Sequence, residues 1–209
     1  MSVVNINENT ILEDNFSQHL DYNFELKELY GEINTPFNFI NKMLSIIPKE
    51  YFENKTLKWL DPGSGHGNYS LCLFFILFKS LIKSIPNAEE RKKHIIENMI
   101  YMIELNKDNI PFLREKFGEK GNIIEENYLE WETDLKFDFI IGNPPYNFNG
   151  VKKVPTKNNV NKKEDGKTIW CEFVKKNISL LKENGKMNVV IPSIWMKPDK
   201  AGMYELLLK

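Results

Sequence analysis

The run Phe137-Asp138-Phe139-Ile140-Ile141 stops against Gly142-Asn143-Pro144-Pro145-Tyr146, and this junction constrains the fold more than any other stretch. A short apolar run reads as a buried strand. Proline fixes φ and lacks a backbone donor, so two prolines end regular structure there. The junction holds a carboxamide, a rigid pair of carbonyls and a phenol ring at the C-terminal end of a strand. In open α/β sheets ligands bind at that edge.

Those groups suit chemistry on a planar amine or amide nitrogen. Such a nitrogen is a poor nucleophile, because its lone pair is delocalised. Two acceptors aimed at its hydrogens raise its electron density. The Asn143 side-chain oxygen and the Pro144 carbonyl are the candidates, with Pro145 keeping the turn rigid. Tyr146 offers a flat face for a ring. Acceptors set in advance where positive charge develops are electrostatic preorganisation. Asn143-Pro144-Pro145-Tyr146 resembles the catalytic motif of the S-adenosyl-L-methionine-dependent amino-methyltransferases. These include N6-adenine DNA methyltransferases and release-factor glutamine methyltransferases.

A second strand-turn-helix unit lies upstream. Leu57 to Leu60 reads as a strand that runs through Asp61-Pro62-Gly63-Ser64-Gly65-His66-Gly67-Asn68 into an apolar helix from about Tyr69. Glycine between strand and helix lets backbone approach a ligand. The alternating glycines after an acid-proline pair resemble the first cofactor motif of Rossmann-like methyltransferases. The resemblance gives Asp61 the charged methionyl amine of the cofactor, with Pro62, Gly63 and Gly65 around it. His66 reads as a loop residue packed near the cofactor. Ile100 to Leu105 reads as the next strand, and Glu104 at its end is placed to hold the two hydroxyls of a ribose. A helix follows from about Lys107 to Phe117.

Further motifs follow the same family. Thr35-Pro36 reads as an N-cap and first helical residue, followed by Phe39, Ile40, Met43, Leu44 and Ile47 at helical spacing up to Pro48. This unit resembles the N-terminal cofactor motif of the N6-adenine DNA methyltransferases. That resemblance gives Thr35 a role at the cofactor carboxylate and Pro36 a neighbouring contact. After a third strand at Asn122 to Ile124, Asn127 stands where the family often has Asp bonded to the cofactor adenine. Tyr128 stands where an aromatic packs on that ring. Ile169 to Leu181 reads as a helix with Gly185 near its stop, and Met187 to Ile191 as a strand closed by Pro192-Ser193. Trp195 is a candidate wall of the base pocket.

The order of these motifs, from about Tyr30 to Trp195, resembles the gamma class of N6-adenine DNA methyltransferases. The resemblance implies an α/β Rossmann-like domain, a mostly parallel sheet with helices on both faces. It implies S-adenosyl-L-methionine as cofactor and methyl transfer to adenine N6 in double-stranded DNA, with the base flipped into the pocket. RNA adenine and a glutamine side chain are the enzymatic alternatives. A cofactor-binding subunit completed by a partner is the alternative from another class. The segment Val151 to Lys167 carries Lys152, Lys153, Lys157, Lys162, Lys163 and Lys167 against only Glu164 and Asp165. It leaves the proline turn directly, so its charge suits phosphates.

A net charge of −1 excludes a uniformly basic binder but not a local basic patch. Cys72 and Cys171 make neither a metal pattern nor a disulfide framework, so no metal and an intracellular setting are expected. The apolar run Leu71 to Phe78 is too short to span a bilayer and reads as a fully buried helix. Residues 1–29 are expected to form an arm or helix and residues 30–209 the methyltransferase domain. Ala201 to Leu208 reads as the start of a helix. The last strands of the sheet and a target-recognition domain are expected to lie outside this sequence or in a partner subunit, with an unusually reduced fold as the other alternative.

Overall fold

The structure, a computed structural model, describes residues 35–147, 168–197 and 202–208. The chain enters through helix α1 (Phe37–Leu44) and the single turn α2 (Lys49–Phe52). Strand β1 (Trp59–Pro62) leads through the glycine turn to helix α3 (Asn68–Ser80). Helix α4 (Ala88–His94) passes through a π-type turn into strand β2 (Ile100–Glu104). Helix α5 (Ile110–Phe117), strand β3 (Asn122–Glu125) and strand β4 (Phe137–Gly142) follow. Helix α6 (Trp170–Leu180), strand β5 (Leu181–Val189) and helix α7 (Met203–Leu208) complete the order.

The five strands form one sheet in the order β3-β2-β1-β4-β5, and every pairing is parallel. Parallel sheets are covered on both faces, which is why β2 and β4 read as near-continuous apolar runs. On one face Trp59, Met102, Phe139 and Ile141 pack with Ile40, Leu44, Leu73 and Leu77. Trp59 stacks on Phe139 at 4.2 Å between ring centroids, an arrangement that adds to simple area burial. On the other face Leu60, Ile103 and Ile140 pack with Phe173 and Leu180. The order in which strands are added reverses between β1 and β4, so the ends of β1, β2 and β4 flank the crevice where such folds bind ligands.

Phe137 and Phe139 lie in different clusters although strand periodicity places them on one face. A bulge explains it: the N–H groups of Asp138 and Phe139 both donate to the Lys58 carbonyl, and the β4–β5 register shifts between Phe137 and Phe139. The Asp138 carboxylate accepts the Lys58 N–H at 2.8 Å and the Lys182 ammonium at 2.7 Å.

Several expected boundaries move. β1 begins and ends two residues later than the apolar run suggested, so Asp61 sits inside the strand rather than past it. β5 begins directly after α6, runs through Gly185 and ends at Val189 instead of Ile191. The helix from Lys107 begins as a 3₁₀ turn before α5. The run Leu71 to Phe78 is not fully buried. Cys72, Leu73 and Leu77 are, whereas Phe74, Phe75 and Ile76 are only half-buried, because α3 lies over one face of the sheet with its other side outward. Among the described residues no helix is long and apolar enough to cross a membrane.

Candidate active site

Three chain segments far apart in sequence meet at the C-terminal ends of β1, β2 and β4. The glycine turn supplies the first. Gly63 and Ser64 donate their N–H groups to the Ile103 carbonyl at 2.8 and 3.0 Å, tying the turn to β2. Gly67 has φ +80, and an added Cβ would sit 2.7 Å from Leu113 Cδ2, so the turn packs directly on α5. The Lys116 ammonium on α5 donates to the His66 carbonyl, and burial lowers its pKa. His66 itself faces Phe112, with ring centroids 5.3 Å apart, consistent with packing rather than base chemistry.

Asp61 is buried to 2% exposure and accepts a 2.8 Å hydrogen bond from the Ser70 hydroxyl on α3. Burial pushes its carboxyl up to about 7; the Ser70 bonds pull down and the nearby Glu104 charge pushes up. No ion-pair partner reaches it among the described residues. A carboxylate buried without a cation is costly, and a ligand ammonium would relieve that cost. Its position also fixes a neighbour. Gly142 has φ +142, and a Cβ there would stand 2.8 Å from Asp61 Oδ1, so only glycine lets β4 pass the acid.

Glu104 ends β2 at 7% exposure. Its Oε2 accepts the Gly65 N–H at 2.6 Å and its Oε1 accepts the Asn106 N–H at 2.7 Å. A carboxylate is an acceptor of the kind that could hold a diol. The buried acid Asp61, the acid Glu104 at the end of β2 and the close backbone of the glycine turn are groups that could hold the polar parts of S-adenosyl-L-methionine.

The proline turn supplies the third segment. Asn143 donates from Nδ2 to the Thr35 Oγ1 at 3.1 Å, and its Oδ1 accepts from the Tyr146 hydroxyl at 3.0 Å. Pro144 is buried, and among the described residues nothing donates to its carbonyl. Two acceptors therefore stand next to each other, one open and one held by an exchangeable hydroxyl. Burial raises the Tyr146 pKa, so the phenol stays a donor. Tyr146 and Trp195 are both half-buried against the cluster of Trp170, Cys171, Val174 and Met203. The Tyr146 carbonyl accepts from Ile169 and Trp170, and Asn147 pairs with Thr168. Residues 146–147 and 168–170 thus lie side by side; Lys152 and Lys153 lie outside the described residues.

Thr35 and Pro36 act differently from the expectation. The helix begins at Phe37, with Pro36 in extended conformation at its N-cap, and ends at Leu44 rather than at Pro48. The Pro36 carbonyl accepts from Phe39 and Ile40. Freed from capping, the Thr35 hydroxyl turns to Asn143, while its carbonyl accepts from Asn68 of α3 at 3.3 Å. Thr35 therefore joins the glycine turn to the proline turn.

Asn127 and Tyr128 separate in role. The Asn127 side chain accepts the Leu129 N–H at 3.1 Å in a local turn and remains half-buried beyond β3. Tyr128 is 3% exposed; its hydroxyl donates to Asn177 at 2.6 Å, its ring lies 5.1 Å from Phe173 and Lys176 caps it. That ring has no open face, so packing on an adenine gives way to a core role. Ser70, Asn68 and Asn106 went unnoticed in the sequence. Each supports a site residue by hydrogen bonding, and none belongs to a pattern that marks it.

Known proteins place this arrangement. A modification methylase, CviBIII, of Paramecium bursaria Chlorella virus NC1A is 29% identical over 173 residues, covering 81% of this chain and 39% of that protein. An uncharacterized adenine-specific methylase of Mycoplasma pneumoniae is 25% identical, covering 79% of this chain and 56% of that protein. The chain thus spans 39% and 56% of the length of these two curated relatives. Among solved structures, the M protein of the type I restriction enzyme EcoKI matches with a TM-score of 0.57 at 16% identity, over 85% of this chain and 37% of that one, a likeness of fold. With a family match that runs over residues 40–209, through both buried carboxylates and the proline turn, this chain belongs to the Eco57I restriction-modification methylase family.

Proposed function

We propose that this chain is the catalytic core of an adenine-specific DNA methyltransferase, transferring a methyl group from S-adenosyl-L-methionine to adenine N6. The observation that carries the reading is the pair of acceptors at the end of β4, Asn143 Oδ1 and the Pro144 carbonyl, beside the two buried carboxylates. Family membership and the adenine-specific methylase among the relatives support it.

In this reading Asp61 holds the cofactor ammonium, Glu104 the ribose hydroxyls, and Thr35, beside Pro36, the carboxylate at the N-terminus of α1, where a helix favours an anion. Pro62, Gly63 and Gly65 shape the backbone around it, and Asn127 takes the adenine edge. Bound cofactor supplies a methyl group on a positively charged sulfur. Tyr146 stacks on a flipped adenine, and Trp195 closes the pocket. Asn143 and Pro144 accept from the amine and stabilise the positive charge that grows on N6 during in-line attack. The proton released afterwards goes to water.

Double-stranded DNA is the proposed substrate, with Lys152 and Lys153 toward its phosphates. A partner subunit or further domain is proposed to choose the site. The test is transfer of labelled methyl from S-adenosyl-L-methionine to DNA, RNA and protein in parallel, followed by nucleoside mass spectrometry. N6-methyladenine in DNA is expected. Label only in RNA or on glutamine would replace this substrate with the corresponding alternative.

A further inference from the structure

The amide of Asn143 sits between two hydroxyls, Thr35 on one side and Tyr146 on the other. A hydroxyl both donates and accepts, so neither neighbour by itself decides which end of the amide faces which way. An amide turned end for end would keep two hydrogen bonds, with Thr35 donating to Oδ1 and Nδ2 donating to Tyr146. Only one orientation is useful for the proposed chemistry. It points Oδ1 toward Tyr146 and the target amine, whereas the reverse would aim a donor at a donor. Some further group must break the symmetry.

The Thr35 surroundings identify that group. Thr35 is 7% exposed, and its carbonyl is fixed by Asn68, so the residue is anchored between the two turns. Its hydroxyl oxygen accepts from Asn143, and among the described residues no acceptor takes its hydroxyl proton. The residue also lies directly before the N-cap of α1, at the positive end of the helix dipole. An anion there would claim the Thr35 proton. With that proton committed, the Thr35 oxygen can only accept, and the sole donor available on Asn143 is Nδ2. Oδ1 is then forced toward the base pocket.

We propose that Thr35 is a positioning residue: by donating to the cofactor carboxylate it fixes the Asn143 amide with its oxygen toward the target amine. This rests on the cofactor reading above and adds to it a coupling from the cofactor to the acceptor. The cofactor carboxylate switches the acceptor into its working orientation, and the Tyr146 hydroxyl holds that oxygen until the target amine replaces it. Coupling between two sites is reciprocal, so the effect on cofactor affinity is equally small, about twofold when both amide orientations are equally populated.

The test follows the Asn143 side-chain amide by NMR in the full chain labelled with ¹⁵N-asparagine, its signal pair identified by its loss in Asn143→Asp. Occupancy is measured by calorimetry in the same samples. S-adenosylhomocysteine, which has the carboxylate, is expected to shift and sharpen the Asn143 pair in the unaltered chain and in Thr35→Ser. 5′-Methylthioadenosine, which lacks the amino-acid portion, is expected to leave the pair unmoved although it binds. Thr35→Val keeps shape without the hydroxyl, and there S-adenosylhomocysteine is expected to bind without moving the pair. An unchanged response in Thr35→Val at equal occupancy, or an equal response to 5′-methylthioadenosine, overturns the inference and leaves the cofactor reading intact. Failure of S-adenosylhomocysteine to bind the unaltered chain overturns the cofactor reading itself, and the coupling with it.

Discussion

At the glycine turn both oxygens of Glu104 are held by backbone N–H groups, whereas at the proline turn Asn143 is held by two side-chain hydroxyls. The first arrangement is part of the fold. Strand β2 and the turn cannot separate without stripping a buried carboxylate of its donors. The second arrangement costs little to rearrange, because hydroxyls rotate and Tyr146 is only half-buried. The contrast suits the proposed tasks. A cofactor that is always the same molecule gains from a site fixed by backbone. A base that enters from a stacked helix needs groups that can let go of one another as it arrives.

The largest expected effect falls on the exchangeable side. Asn143→Ala removes one of two acceptors, and loss of a single preorganised group of this kind typically lowers turnover by about 100- to 1000-fold. Single-turnover transfer at saturating cofactor measures it, and a decrease of less than about tenfold would count against the acceptor role.

The fixed side is expected to respond first in stability. Glu104→Ala leaves the N–H groups of Gly65 and Asn106 without their partner, at a cost of about 3 kcal/mol. Urea unfolding of the unbound protein reads this directly. A change below about 1 kcal/mol would show that the glycine turn does not depend on the acid.

Asp61 sharpens the comparison through pH. Its folded value of about 7 lies above the ordinary 3.8, so the folded state binds the proton more tightly. This group's stabilising contribution is therefore complete at low pH and is lost as pH rises toward and through about 7. Unfolding midpoints of the unbound chain and of Asp61→Asn between about pH 5 and about pH 8 are expected to diverge, the variant gaining relative to the parent as pH rises. An ammonium ligand requires the charged form, so cofactor affinity is expected to fall as pH drops below about 7. Parallel stability curves for the two proteins would remove the buried acid from the account.

The smallest effect is expected at the Tyr146 hydroxyl. Tyr146→Phe keeps the ring and loses only a bond that the target amine displaces, so transfer is expected within about fivefold of the parent. Tyr146→Ala removes the stacking face as well and is expected to weaken the target complex by about 1–3 kcal/mol. Equal losses in the two variants would mean that the hydroxyl, not the ring, matters.

The sheet and the proline turn were readable because their signals are local. Ile100 to Glu104 and Phe137 to Gly142 are short apolar runs with turn residues at their ends, and both strands appear there. Parallel pairing follows from helices between strands. The bulge at Asp138 was not readable, because it depends on Lys58, just before β1, and on Lys182 in β5. Thr35 shows the same limit. Its local context favours capping, yet a contact across 108 residues decides its role. Tyr128 shows another: an aromatic after a strand fits a pocket or a core equally well, and Phe173 and Asn177, far along the chain, place it in the core. Asp61 and Glu104 were legible as acids at strand ends, but Ser70 and Asn106, which hold them, were not.

The contrast between the two halves of the site is tested most directly by calorimetric affinity for S-adenosylhomocysteine in Asn143→Ala beside Asp61→Ala. The account predicts Asn143→Ala within about threefold of the parent and Asp61→Ala weaker by at least about tenfold, since only the second loses a charge partner of the ligand. Equal weakening in both variants would contradict it, because cofactor binding would then depend on the proline turn as much as on the buried carboxylates.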